Sequence, residues 1–124
     1  MQNMNKWRLN RTIIPLLSVL LLSWNGVTTI SNQEDGNFGP VCAATSTGLG
    51  SVIWASGYSP DISIQASIYD GIYWTTAETV SAAFNNVNPN IGMDYLGSCI
   101  ATWEMLNGEA RVIQSSTKLN GSDW

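Results

Sequence analysis

Residues 48–74 read GLGSVIWASGYSPDISIQASIYDGIYW, and residues 97–124 read GSCIATWEMLNGEARVIQSSTKLNGSDW. Shifted by 49 positions, the first stretch lays Gly48 on Gly97, Trp54 on Trp103, Ile64 on Ile113, Gln65 on Gln114 and Ser67 on Ser116. One extra residue late in the second stretch then brings Gly71 onto Gly121 and Trp74 onto Trp124. Upstream, the same shift pairs Asn37 with Asn86 and Pro40 with Pro89. The identities fall on Gly, Pro and Trp, which hold special backbone and packing roles, so they mark a repeated structural unit. The register continues backwards: Trp24, Thr29, Ile30 and Ser31 correspond to Trp74, Thr79, Val80 and Ser81.

Within each period the pattern is of short strands and turns. First strands are expected at Val41 to Thr45 and Ile91 to Tyr95, each introduced by an Asn-x-x-Pro corner in which proline fixes the backbone. Gly48 and Gly97 then supply a reversal that needs positive φ, leading into second strands at Ser51 to Ser56 and Ser98 to Met105. Turn chemistry recurs at Gly57 to Asp61 and at Asn107-Gly108, the latter a strong hairpin signal. Third strands, Ile62 to Ile68 and Ala110 to Thr117, alternate in the manner of half-buried strands. Asp70-Gly71 and Asn120-Gly121 make the next turn, and Trp74 opens a fourth strand through Val80. No helical period stands out. Ala77 to Phe84 comes nearest, and its Thr, Val and Ser favour strand. The expected fold is therefore all-β, with two four-stranded antiparallel units, over residues 32–85 and 86–124, the second lacking its last strand.

The first 31 residues read differently. Lys6, Arg8 and Arg11 precede an apolar run from Ile13 to Trp24, the charged region and core of a secretory signal peptide. The run is too short for the roughly 20 residues that span a bilayer. Its removal leaves Arg111 and Lys118 against nine carboxylates. So acidic a chain repels phosphate backbones and anionic lipid, which excludes nucleic acid and membrane surfaces as expected partners. The expected location is outside the cytoplasm: secreted, periplasmic or on the cell surface. Cys42 and Cys99 stand at non-equivalent repeat positions and read as small apolar strand fillers. Oxidising surroundings would also allow them to pair, which leaves their state open.

The chain has no histidine, which removes the usual general base and most metal sites together. No catalytic residue, metal or cofactor is expected. Asp61, Asp70, Asp94, Glu104 and Glu109 sit at turns or strand ends, without the opposed spacing that paired-carboxylate hydrolysis requires. Pro40, Gly48, Gly71 and Trp74, with Pro89, Gly97, Gly121 and Trp124, are expected to be structural markers of the repeat. Trp54 and Trp103, with Glu104 and Arg111, are the ligand-binding candidates, the two indoles offering stacking surfaces near strand ends.

Four antiparallel strands in about 50 residues is the pattern of a propeller blade. The run Ser51-Val52-Ile53-Trp54, followed by Ser63-Ile64-Gln65-Ala66-Ser67 and Gly71-x-x-Trp74, resembles the blades of repetitive secreted bacterial β-propellers of kelch and sialidase type. Ser67 to Trp74 is similar to the sialidase Asp-box, with Asp70 moved to stand directly before Gly71. The Asp-Gly-x-x-Trp ending in a two-blade chain also resembles the small fucose-binding propeller lectins, although their second-strand Arg has no counterpart in Ser51 to Trp54. The resemblance implies an exported, non-enzymatic binding module, complete or a piece of a longer propeller. Its alternatives are an oligomeric carbohydrate-binding lectin and a glycosidase-like propeller. Two blades do not close a ring of 4 to 8, so, if cleavage falls early enough to keep Thr29 to Ser31, a homo-oligomer joined by strand exchange through residues 27–31 is expected.

Overall fold

The computed structural model describes residues 26–32 and 36–124. The expected export signal falls largely on residues 1–25, outside the described residues. Among those described, no helix is long and apolar enough to cross a membrane. Seven strands follow one another: β1 (Asn37–Ala44), β2 (Gly50–Tyr58), β3 (Asp61–Tyr69), β4 (Glu78–Thr79), β5 (Asn86–Met93), β6 (Cys99–Asn107) and β7 (Ala110–Lys118). The described residues are all-β. Strands β1 to β4 form one antiparallel sheet in chain order, and β5 to β7 form a second.

The two central hairpins have the same register. Trp54 faces Gln65 across β2 and β3, and Trp103 faces Gln114 across β6 and β7. The 49-residue shift therefore holds in three dimensions. Its turns match as well. Thr45 N donates to Leu49 O and Gly48 N to Thr45 O; at the second turn Asp94 N donates to Ser98 O and Gly97 N to Asp94 O. Gly48 and Gly97 have φ of +88° and +93°, as the expected reversals require.

The strand boundaries depart from expectation in three places. The first strands begin at Asn37 and Asn86, so Asn-x-x-Pro is a bulge inside each strand and not a corner before it. The bulge places Gly39 and Asn88 at φ of +61° and +52°, and Asn is among the few side chains that accept that region. The turn expected over Gly57 to Asp61 is tighter, because β2 continues to Tyr58 opposite Asp61. The fourth strand is only Glu78–Thr79, with a single bridge between Tyr69 and Trp74 at its start. Between them the Thr75 hydroxyl accepts from Ile68 N at 3.0 Å, so a side chain does part of what a ladder would do.

Alternation along paired strands gives each sheet two distinct faces. One face of the first sheet carries Ile53, Ala55, Ile64 and Ala66, and the other carries Val52, Trp54, Gln65 and Ser67. In the second sheet Cys99, Ala101, Trp103 and Gln114 share a face, with Thr102, Glu104, Ile113 and Ser115 behind them. The core forms where the Ile face of the first sheet meets the Trp face of the second, with Ile91 and Ile62 joining it. Burying each large aliphatic side chain there contributes roughly 1.5–3 kcal/mol. The same unit thus stacks front on back, β5 lying against β1, β2 and β3.

One polar side chain ties the stack together. Asn86 is buried, and its Nδ2 donates to Ile62 O at 2.8 Å, Ala82 O at 2.7 Å and Ser81 Oγ at 3.1 Å. Ser81 Oγ also accepts from Ile64 N at 2.9 Å. The second sheet's first strand is therefore fastened to the third strand of the first sheet and to the connection between the sheets.

Candidate functional site

The two candidate indoles are buried. Trp54 is 3% and Trp103 5% exposed, each in mid-strand, so neither is a solvent-facing platform, although Trp54 borders a small cleft. Trp103 Nε1 donates to Gln114 Oε1 at 2.9 Å, whereas Trp54 Nε1 donates to Asn37 Oδ1 at 3.0 Å. Equivalent tryptophans have thus solved the same burial problem with different acceptors. Trp103 packs into the inter-sheet core; Trp54 lies on the opposite side of the first sheet, near Ile30 and Ser31.

Glu104 and Arg111 do come together. Arg111 Nη1 donates to Glu104 Oε2 at 2.6 Å on the outer face of the second sheet. The Arg111 hydrogen bond, then one from Asn88, holds the Glu104 carboxyl below the usual carboxylate range. This pair and Trp103 are on opposite faces of one sheet, and Trp54 belongs to the other sheet. The four candidates do not converge on one site. The face around the ion pair is mixed: Thr102 and Ser115 share it with two open aliphatic side chains, Ile100 at 59% and Ile113 at 71% exposed. Sequence reasoning passed over these two, although Ile113 stands in a third strand whose counterpart, Ile64, is fully buried.

The repeat markers serve the backbone. Pro40 and Pro89 sit in the bulges, and Gly71 and Gly121 have φ of +101° and +80°. Trp74 packs on Tyr69 with ring centroids 5.3 Å apart, and Trp124 packs against the core. Asp70 Oδ1 accepts from Ile72 N at 2.8 Å and Tyr73 N at 2.7 Å, which makes the Asp-box-like segment a turn. Those two amides lower its carboxyl below the ordinary range. Asp94 Oδ1 accepts from Leu96 N and Ser98 N in the same manner, at 2.9 and 2.8 Å. The Asp70 carboxylate, so held, is a poor proton donor.

Among the described residues, no three of His, Cys, Asp and Glu gather as metal ligands would. Both thiols are free, Cys42 exposed and Cys99 buried. Burial pushes the Cys99 thiol up, partly offset by the Ser51 hydroxyl facing it from the first sheet. Two clefts flank the Trp face of the first sheet. A larger one of about 530 Å³ lies between residues 28–32 and Gln65 with Trp74 to Ala77. A smaller one of about 180 Å³ is bounded by Ile30, Pro40, Val52 and Trp54. Among the described residues these surfaces present the outer edge of β7, which no strand pairs, exposed aliphatic side chains and the Arg111–Glu104 ion pair. Comparison with family models, with curated proteins and with solved structures finds no match to this chain.

Proposed function

We propose that the chain is an exported, non-enzymatic repeat protein of β-propeller type, whose two sheets are blade-like units and whose role is to bind through a sheet face. One comparison carries this reading. Ile64 and Ile113 occupy the same repeat position, yet Ile64 is fully buried by the neighbouring sheet and Ile113 is 71% exposed. A face that is core in one unit and open in the next is suited to receive a further sheet. Beside it β7, which no strand pairs on its outer edge among the described residues, offers an edge that favours strand addition.

The experiment has two parts. Size fractionation of the exported material should find the chain in a complex larger than its own mass, and Ile113→Lys should release it. The purified chain should turn over no aryl glycoside. Turnover that Asp70→Asn or Glu104→Gln abolishes would place the protein among glycosidase-like propellers and refute the reading.

A further inference from the structure

Inside the chain, β3 is bordered by residues 78–81 in a defined register. Thr79 faces Gln65 and Glu78 faces Ala66, while Val80 N donates to Ile64 O at 2.7 Å and Ile64 N to Ser81 Oγ at 2.9 Å. Among the described residues β7 is the edge strand of its sheet, and it carries Ile113 and Gln114 where β3 carries Ile64 and Gln65. Its outer edge is thus prepared for a segment like 78–81.

Residues 28–31 are that segment by repeat position, and the structure puts them in the matching place. Asn37 Nδ2 donates to Asn32 O at 2.6 Å, as Asn86 Nδ2 donates to Ala82 O at 2.7 Å. Residues 28–32 therefore stand beside the first sheet as residues 78–82 stand beside the second. Beside the second sheet, the adjoining space is filled by the Ile face of the first. Beside the first sheet, it is the cleft of about 530 Å³ next to Gln65 and Trp74.

We infer that a second copy of this chain fills that cleft, docking head to tail. The β7 edge of one copy pairs with residues 28–31 of the next, Gln114 opposite Thr29 and Ser115 opposite Thr28. Ile30 N then donates to Ile113 O, and Ile113 N to Ser31 Oγ. The inference rests on the proposed binding role and names its partner. The internal stack of the two sheets is the template for the contact. Because the contact joins unlike surfaces, a joined pair retains one free head and one free tail, and copies add until the rotation closes. The outer face carries Thr102, Glu104, Arg111 and Ser115 where the internal one carries Ile53, Ala55, Ile62 and Ala66. The contact between copies is consequently more polar than the core, and dilution reverses it.

The test uses the exported chain, with its N-terminus read by mass. Sedimentation of the wild type should show mass above that of a dimer that falls on dilution. Ile113→Lys breaks the tail by placing a charge at an exposed edge position, and Ile30→Pro breaks the head by removing one N–H from a segment outside the sheets. Each variant alone should lose at least about tenfold in association. An equimolar mixture of the two should form a heterodimer, since one supplies an intact head and the other an intact tail. Assembly unaffected by either variant, or a mixture that stays monomeric, would overturn the inference. So would an exported chain beginning after Ile30. A wild type that is monomeric when pure, yet is released from a larger complex by Ile113→Lys, would also overturn it while leaving the binding role standing.

Discussion

Asn86 and Asn37 share a repeat position but not an environment, and replacing each by Asp separates the two. Asn86 is 1% exposed and its amide nitrogen lies among three oxygens, of Ile62, Ala82 and Ser81. A carboxylate only accepts hydrogen bonds, so Asn86→Asp strands these buried acceptors and adds a charge facing them. At about 1–3 kcal/mol for each buried group left unpaired, losing the two N–H donors costs roughly 2–6 kcal/mol. That is a large share of the 5–15 kcal/mol that stabilises a typical domain. For a chain of this size it lowers Tm by roughly 10–25 °C. Asn37→Asp keeps the oxygen that accepts from Trp54 Nε1 and loses donation to the exposed Asn32 carbonyl, which water can satisfy. Its cost is about 1 kcal/mol or less. The assay is urea denaturation followed by far-UV circular dichroism on both variants. If Asn86→Asp falls within about 0.5 kcal/mol of Asn37→Asp, the inter-sheet role of Asn86 is wrong.

Further outcomes follow from the same contacts. Ile64→Ala should destabilise by about 2–5 kcal/mol, and Ile113→Ala in dilute solution by about 0.5 kcal/mol or less, both read from denaturation midpoints. Gly48→Ala meets open space and pays only for positive φ, about 1 kcal/mol, whereas Gly57→Ala also drives its Cβ into the Asp61 carbonyl oxygen and should be the worse of the two. The Asp70 carboxyl is depressed on folding, so its contribution is present above its unfolded pKa and is lost as pH falls through the lower folded value. Asp70→Ala should therefore flatten the decline in Tm below about pH 4; an identical decline in both proteins would contradict the turn assignment.

The repeat and its strands were legible because Gly, Pro and Trp report backbone and packing directly. Gly48 and Gly97 fall at equivalent turns with nearly equal φ, as their spacing implied. The bulge was not legible: Asn-x-x-Pro reads equally as a corner or a bulge until the partner strand shows which residues pair. Trp54 and Trp103 looked like exposed platforms because periodicity locates an aromatic along a strand without saying what covers it. The open face around Ile113 was missed for a related reason. Ile64 and Ile113 share the run Ile-Gln-x-Ser. What separates core from surface lies in their same-face neighbours, Ile53, Ala55, Ile62 and Ala66 against Thr102, Glu104, Arg111 and Ser115, which become visible as one face only once the strands are paired.

That stacking order is the central claim, and the two thiols report on it directly. Cys99 lies on the Trp face of the second sheet, 1% exposed against the first sheet, and Cys42 lies on the outer side of the first. A thiol reagent applied to the dilute native chain, with mass mapping of the product, should modify Cys42 rapidly. Cys99 should react only as the chain unfolds, with the same urea dependence as the loss of circular dichroism. Labelling of Cys99 at the rate of Cys42 under native conditions would show the second sheet presenting its other face, and the account would fail.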